Sequence, residues 1–133
     1  TIPWPDSLAC EVASVVKGRD ERGRLLRRTI MRYVNLAFVV SFVGTCSRVR
    51  KRFPTWTHMV EAGILEENEK ELIDNVEPRS ACKYWVPIAW ACGVVECARR
   101  EDRCTTVHGH QSLVNRILQF RKDLGSLQGY DTM

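Results

Sequence analysis

The chain has 133 residues, of which 44% are hydrophobic and 27% charged, a composition that fits one folded domain and excludes a disordered protein. Its 20 basic and 16 acidic residues give a formal charge of +4, so anions are favoured only locally. The chain begins at Thr1, without the charged and apolar segments of a signal peptide. A processed chain, a truncated product and an excerpt from a longer chain all stay open.

The first predicted helix follows an extended entry that contains Pro3 and Pro5. Asp6 is predicted to cap it and Gly18 to end it. Its apolar positions recur at steps of three and four residues and are Leu8, Val12, Val15 and Val16. Asp20 is predicted to cap the second helix.

The second predicted helix covers residues 23–45, which read GRLLRRTIMRYVNLAFVVSFVGT. At 100° per residue, its first half is amphipathic, with Leu26 and Ile30 opposite a basic side. That basic side carries Arg24, Arg28 and Arg32, with Arg27 at its edge. From Leu36 to Val43 the apolar residues cover the whole circumference, so protein or lipid must surround this half.

The apolar half of this helix is too short to cross a bilayer. The run from Val34 to Thr45 measures about 18 Å at 1.5 Å per residue, against about 30 Å of hydrocarbon. The run already contains Asn35, and extending it backwards brings in Arg32. The sequence therefore predicts a helix buried in protein.

The middle of the chain is predicted to form a cationic connection and two short helices. The connection SRVRKRFPT carries Arg48, Arg50, Lys51 and Arg52. Thr55 is predicted to cap a short helix that ends at Gly63, and an acidic helix is predicted from about Glu66 to Val76. A loop, EPRSA, follows around Pro78.

The last third is predicted to form two longer helices. Residues 84–101 read as a helix with Pro87 in its first turn, where a missing amide is harmless. Three cations near its C-terminal end suit the helix dipole: Arg99, Arg100 and Arg103. A helix from about Gln111 to Leu127 is predicted to turn one side inward, with Leu113, Ile117, Leu118, Phe120, Leu124 and Leu127. Since no segment alternates like a strand, the predicted fold is all-α with five to six helices in one unit, 1–133.

Motifs of catalysis and metal binding are weak or missing. No G-x-S-x-G, P-loop, G-x-G-x-x-G or H-E-x-x-H pattern occurs, so we expect no enzyme. The six cysteines include no C-x-x-C pair, and we expect reduced thiols. Five potential zinc ligands lie close together in the sequence: Cys92, Cys97, Cys104, His108 and His110. Their spacing does not match structural zinc sites, so no metal site is predicted.

The two basic clusters, RLLRRTIMR and RVRKR, allow two interpretations besides a solvated surface. One is a nucleic-acid-binding or protein-interaction module, although no helix-turn-helix or zinc-finger spacing accompanies the clusters. The other is the handling of small anions, since basic side chains around a water-filled path raise the local anion concentration. The second interpretation requires assembly around an axis, because one domain of this size has no pore of its own.

Several strings favour the second interpretation. IPWPD, GRDERGRLLRRTIMRYVNLA, KRFPT, HMVEAGIL, KYWVPIAWA, ARRE and GYD occur in this order and resemble the bestrophin family along the whole chain. There are departures. Leu65 and Glu66 stand where the family usually has a hydroxyl residue ahead of its acidic helix, and the family's YDWIS is replaced by YDTM at the end.

The resemblance implies a pentameric, calcium-activated chloride channel of the plasma membrane. It implies that this chain is a partial, cytosolic helical region that lacks the membrane-spanning helices and joins the second to the third. By the same resemblance, the calcium ligands lie elsewhere in the full-length protein and no cofactor belongs to this segment. We therefore expect the chain to conduct no chloride alone.

Five cations are the candidate site residues under this resemblance. Lys51 and Arg52, in the string that matches KRFPT, are predicted to line an electropositive anion vestibule. Arg24, Arg28 and Arg32 are predicted to contact a neighbouring subunit or an anion. Trp4 is predicted to be a packing anchor at the junction between membrane and cytosol.

Overall fold

The computed structural model describes residues 4–75 and 83–132, without the side chains at 44, 45 and 127–132. These residues form seven helices and no sheet, and one isolated bridge pairs Val16 with Cys104. The helices are α1 (Asp6–Val15), α2 (Glu21–Thr45), α3 (Ser47–Arg52), α4 (Trp56–Glu61), α5 (Glu67–Asp74), α6 (Trp85–Arg100) and α7 (Val107–Thr132). The all-α prediction is confirmed, and the predicted number of helices is too low.

Two of the differences concern α3 and the start of α7. The segment SRVRKR forms the separate helix α3 rather than a connection, since arginine and lysine are good helix formers. Helix α7 begins four residues before the predicted Gln111. The hydroxyl of Thr106 accepts a hydrogen bond from the Gly109 amide at 2.8 Å, which is the pattern of an N-terminal cap.

The predicted caps have mixed outcomes. The Asp20 carboxylate accepts from the Gly23 amide at 3.2 Å, as expected. Asp6 is instead the first helical residue, after Pro5 at the cap position, where its charge still suits the helix dipole. Thr55 takes the cap position of α4, but its hydroxyl lies 2.7 Å from Nδ1 of His58. It therefore satisfies a side chain and not a backbone amide.

Gly18 lies beyond the end of α1, in the turn that leads to α2. Its φ of +122° is one that residues with a side chain rarely adopt. Gly23 packs directly on this turn, since a Cβ at Gly23 would lie 2.5 Å from the Gly18 carbonyl oxygen. The two glycines together let the start of α2 approach the turn before it.

Helix α2 is the central element of the core. Its inward side packs against α1, α6 and α7, as the amphipathic pattern predicts, with Leu26 and Ile30 buried and Arg24 and Arg28 exposed. The buried side chains of this main core are Leu8, Val12, Val15, Val16, Leu26, Ile30, Val34, Ala37, Ile88, Ala91, Val95, Ala98, Leu113, Ile117, Phe120 and Leu124. Burial of so many aliphatic groups dominates the stability of the fold.

The second half of α2 is enclosed, as its all-round apolar character predicts. None of residues 36–43 is exposed. Leu36 and Val40 form a smaller core with Met59 and Leu65, so α4 and the segment after it cover this side of α2. No helix in the described residues is long and apolar enough to cross a membrane.

The side chains of Leu118 and Trp4 are both exposed to solvent. Leu118 is 43% exposed, so its predicted place on the inward side of α7 is wrong, because the turn of the helix that buries Ile117 directs the next residue away. Trp4 is 63% exposed and its ring lies 5.7 Å from that of Phe38. Its role as a packing anchor at the junction between membrane and cytosol stays a prediction. The predicted EPRSA loop and the Leu127 side chain lie outside the described residues.

Candidate functional site

Four cations on α3 form the most concentrated positive charge of the described structure. All four are exposed: Arg48, Arg50, Lys51 and Arg52. The Arg50 Nε donates to the Val43 carbonyl at 3.0 Å, and the Arg52 guanidinium lies 5.6 Å from the centre of the Phe53 ring. No carboxylate of the described residues pairs with any of the four. Their charge is therefore open to anions from solution.

Helix α3 can hold these cations side by side because most of them lie at its C-terminal end. Arg50, Lys51 and Arg52 occupy its last turn, where the partial negative charge of the helix terminus offsets their mutual repulsion. At the other end, hydrogen bonds from the Val49 and Arg48 amides lower the pKa of the Cys46 thiol. Lys51 and Arg52 are thus placed on an exposed surface, and their predicted vestibule role stays a prediction.

The three arginines predicted on the outer side of α2 have different surroundings. Arg24 and Arg28 are exposed, and no carboxylate of the described residues pairs with them. The Arg32 side chain is only 19% exposed and is held inside the molecule by Glu69. The structure therefore leaves Arg24 and Arg28 available to a neighbour or an anion, and their role stays a prediction, as does that of Arg32.

Arg32 and Glu69 form a two-pronged ion pair that joins α2 to α5. The Nη1 and Nη2 atoms of Arg32 donate to Oε1 and Oε2 of Glu69 at 2.6 and 2.9 Å. The Tyr33 hydroxyl donates to the same Oε2 at 2.6 Å. The Glu66 amide donates to Oε1 at 2.9 Å, so each carboxylate oxygen accepts two hydrogen bonds. This geometry makes the pair rigid as well as strong.

The protonation states of this cluster follow from its burial and hydrogen bonds. Burial acts to raise the pKa of Glu69, but the hydrogen bonds from Arg32, Tyr33 and the Glu66 amide outweigh it and lower that pKa. Burial and the hydrogen bond to Glu69 raise the pKa of Tyr33 to about 12. The hydrogen bonds to Glu69 raise the pKa of Arg32. At neutral pH the carboxylate is charged and the phenol is neutral.

The same carboxylate explains how α5 begins without a hydroxyl residue before it. Glu69 is the third residue of α5 and accepts from the amide of Glu66, which precedes the helix. This reciprocal arrangement is a capping box with glutamate at both positions. The departure at Leu65 and Glu66 therefore leaves the helix start satisfied.

A second ionic network ties the turn before α2 to the end of α6. Two oxygens of Asp20 each accept from Arg103 at 2.8 Å, and Arg22 donates to Glu101 at 2.6 to 3.2 Å. The hydrogen bonds from Arg103 lower the pKa of Asp20 to about 2. Those from Arg22 lower the pKa of Glu101 to about 2. These ion pairs join residues that lie about 80 positions apart in the sequence. No local sequence pattern predicts them.

Two of the residues that raised the question of zinc, Cys97 and His110, have other partners. The Cys97 thiol donates to Glu101 at 3.2 Å, and burial raises the pKa of the thiols of Cys92 and Cys104. Nε2 of His110 lies 3.4 Å from Glu96. No group of three potential metal ligands comes together within the described residues. The cysteines described there are free.

Two buried charges were not identified from the sequence. The sequence analysis gives Glu69 only as part of an acidic helix, although the pattern Glu66-x-x-Glu69 is that of a capping box. Lys83 is 4% exposed and its Nζ donates to the carbonyls of Ile73 and Asp74 at 2.9 and 3.3 Å. No local pattern predicts this contact, because the lysine caps a helix that precedes it.

The sequence of this chain matches one family along its whole length. The family model described as "Bestrophin, RFP-TM, chloride channel" covers residues 1–133. The chain belongs to the bestrophin family. The letters RFP of that description also occur in the chain, as Arg52-Phe53-Pro54.

Curated relatives show the same similarity. The chain is 42% identical to human Bestrophin-3 over 130 residues, 98% of this chain and 19% of the relative. It is 42% identical to mouse Bestrophin-2, again over 98% of the chain and 25% of the relative. Identity to human Bestrophin-1 is 37%, with 98% and 22% covered. The chain thus spans about a fifth to a quarter of the length of these relatives.

Proposed function

We propose that this chain is a helical region of a bestrophin-like chloride channel and contributes to an anion vestibule and to contacts between subunits. The observation that carries the proposal is the cluster of exposed cations on α3, for which the described residues provide no carboxylate. Family membership supports an anion as the partner. The longer protein would be a multi-pass protein of the plasma membrane, with this segment on its cytosolic side.

The proposed mechanism is electrostatic. Lys51 and Arg52 raise the chloride concentration near an aqueous path without binding the ion tightly, since a tightly held ion would block conduction. Screening limits this effect to about 8 Å at physiological salt, so the two side chains must border the path. Gating and calcium binding belong to other parts of the longer protein in this proposal.

Assembly around an axis completes the proposal. A single segment offers its cations on one surface, and a ring of five copies would surround an aqueous chamber with them. Arg24 and Arg28 would lie where copies meet, because both are exposed and have no carboxylate partner among the described residues. Arg32 would support such a contact indirectly, by fixing α5 against α2.

The direct test is charge reversal in the longer channel protein that contains this segment. Lys51→Glu with Arg52→Glu should lower single-channel chloride conductance several-fold, because the local anion concentration falls. The melting temperature of the purified protein should stay within a few degrees, since both side chains are exposed surface residues.

A matched control reverses two adjacent cations elsewhere. Arg121 and Lys122 are exposed on α7, and Arg121→Glu with Lys122→Glu changes the net charge by the same amount. Equal conductance of wild type and the 51/52 variant would contradict the proposal. Salt-dependent binding of duplex DNA by the chain, lost in the same variant, would favour a nucleic-acid-binding module instead.

A further inference from the structure

Thr55 follows the α3 cations, and its hydroxyl does not cap the helix that it precedes. The residue occupies the cap position of α4 with an extended backbone, but its side chain makes no hydrogen bond to a backbone amide of that helix. The side chain is exposed, and its oxygen lies 2.7 Å from Nδ1 of His58, which is also exposed. The hydroxyl is therefore open to solution.

The residues before Thr55 carry a concentrated positive charge. Arg52 and Arg50 lie three and five positions before it, with Lys51 between them. All three are exposed, and no carboxylate of the described residues pairs with them. Protein kinases select their substrates by such charge patterns, and a guanidinium matches a carboxylate through two parallel hydrogen bonds. The pattern fits a kinase whose peptide groove is acidic.

The segment around Thr55 can straighten at small cost, as an extended peptide groove requires. Residues 53–55 already lie between two helices. Helix α3 has six residues and buries none of its side chains, and helices of this length are only marginally stable. Local opening of a segment with so few buried contacts needs little free energy. Thr55 and the arginines before it can therefore enter a groove while the core stays folded.

Two other threonines near arginines lack these features. Thr29 directly follows two arginines, but it lies within α2 and its hydroxyl donates to a backbone carbonyl of that helix at 2.7 Å. Thr106 has Arg103 three positions before it. That arginine is paired with Asp20, and the Thr106 hydroxyl caps α7. The same spacing of arginine and threonine is thus used for structure there and is left free at Thr55.

We propose that Thr55 is the phosphorylation site of an arginine-selective protein kinase and that its phosphate neutralises the cations of α3. In the transfer, the Thr55 oxygen bonds to the γ-phosphorus of ATP and the bond from that phosphorus to the β-phosphate oxygen breaks. ADP leaves, and the hydroxyl proton passes to a base of the kinase. The phosphate carries a charge of about −1.5 to −2. Because three residues span at most about 11 Å, Arg52 stays near enough to pair with it.

The consequence for chloride rests on the proposed function. A phosphate at Thr55 lowers the positive potential around Lys51 and Arg52, so fewer chloride ions accumulate beside the aqueous path. Nδ1 of His58 already lies beside the hydroxyl and is placed to donate to a phosphate oxygen. Thr55 is thus a position from which the charge of the α3 cations is regulated.

Phosphorylation of the full chain, with mapping by mass spectrometry, tests the site. The reaction contains ATP, Mg²⁺ and an active kinase domain that selects arginine three and five positions before the hydroxyl. One phosphate is expected on Thr55 and none on the Thr55→Val variant. Arg50→Gln/Arg52→Gln should lower the initial rate about tenfold or more, since the groove loses both charged contacts. Arg121→Gln/Lys122→Gln removes two exposed cations of α7 and should react like wild type.

A phosphorus-31 NMR titration of the modified chain tests the neutralisation. Free phosphothreonine has a second pKa of about 6. Pairing with cations favours the doubly charged phosphate, so this pKa should be lower by about half a unit at low salt. Raising the salt concentration to 500 mM should return the pKa toward that of free phosphothreonine, because salt screens the pairing. A pKa equal to the free value at both salt concentrations would overturn the neutralisation.

Three outcomes of the mapping would overturn the site itself. These are an unmodified wild-type chain, a phosphate on Thr57 or Thr106 in place of Thr55, or a rate that Arg50→Gln/Arg52→Gln leaves unchanged. All are measured without recording a current, so failure of this inference is distinguishable from failure of the proposed function.

The regulatory consequence has its own measurement in the longer channel. Kinase and ATP applied to the side of the membrane that carries α3 should lower the permeability of chloride relative to sodium in wild type and leave Thr55→Val unchanged. Equal permeability before and after modification of wild type, in a channel that Lys51→Glu/Arg52→Glu does alter, would contradict the regulation while leaving the proposed function intact.

Discussion

Arg32 and Glu69 are the residues on which the junction of α2 and α5 depends. Their side chains are 19% and 7% exposed, so breaking the pair from one side leaves a charge with little water to solvate it. Removing one partner of a buried ion pair costs about 3–5 kcal/mol, and a partly buried pair lies near the lower value.

Arg32→Met should therefore lower the free energy of unfolding in urea by about 3 kcal/mol. Arg28→Met, one turn earlier on the exposed side of α2, should change it by less than about 0.5 kcal/mol. The double variant Arg32→Met/Glu69→Met should recover part of the loss, since an apolar pair leaves no stranded charge. Equal effects of the two single variants would show that the ion pair does not stabilise the fold.

Acid should destabilise the protein through its paired carboxylates. The folded-state pKa values of Asp20, Glu96 and Glu101 are about 2, below the values of about 4 expected in the unfolded chain. Groups with lowered folded pKa values stabilise above the unfolded value and lose that contribution as pH falls through the folded one. The melting temperature should therefore fall between about pH 5 and pH 2.

Asp20→Asn and Glu101→Gln should each make this acid dependence shallower while lowering stability at pH 7. Glu61→Gln is the control, because Glu61 is exposed and pairs with no cation of the described residues. A melting temperature in Asp20→Asn that falls with acid as steeply as in wild type would contradict the assignment of this carboxylate.

At the scale of single residues, the sequence predicts which side of a helix a charge occupies better than it predicts the partner. The exposure of Arg24 and Arg28 follows from 100° steps along α2. The partner of Arg32 does not follow from these steps, because Glu69 lies 37 residues away in the sequence. Only the packing of α5 against α2 brings the two side chains together. The cap by Asp20 was predictable because its donor, Gly23, is three residues away.

At the scale of elements, α5 depends on a residue that is not part of it. Its last carbonyls, those of Ile73 and Asp74, accept from the buried ammonium of Lys83. Helix ends leave such carbonyls unsatisfied, and cations there are favourable. The start of α5 is held by Glu69, so this short helix is fixed at both ends by charged groups.

Lys83→Met should loosen α5 while leaving the main core intact, because it leaves two carbonyls without their donor at a buried site. Hydrogen bonds to charged groups contribute about 1.5–3 kcal/mol. In hydrogen exchange, amides of residues 70–74 should lose protection about tenfold or more, while those of α6 should change little. Lys122→Met removes an exposed lysine and should alter neither. Unchanged protection in α5 would contradict the capping role.

The long helices were predictable because their burial pattern repeats over several turns, as in α2 and α6. The short helix α3 was not, since six residues are too few to show a period and its residues are all polar except Val49. The early start of α7 shows a similar limit. Its cap at Thr106 follows a turn that contains Asp102 at a positive φ of 58°, and the apolar residue that begins the helix, Val107, is exposed and marks no buried side.

At the scale of the whole molecule, positive charge is divided between structure and surface. Three arginines form ion pairs within the molecule: Arg22 with Glu101, Arg32 with Glu69 and Arg103 with Asp20. The cations of α3 are left unpaired within the described residues. The net charge of +4 does not show which cations are paired within the molecule and which are exposed. The proposed function therefore depends on particular side chains and not on the net charge.

The central claim is that Lys51 and Arg52 act on anions by their charge alone. The most direct measurement is the reversal potential of the longer channel in a chloride gradient, recorded for three charge states. These are wild type, Lys51→Gln/Arg52→Gln and Lys51→Glu/Arg52→Glu. We predict that the permeability of chloride relative to sodium falls stepwise along this series, and that raising the salt concentration reduces the differences. Identical reversal potentials in all three would contradict the claim.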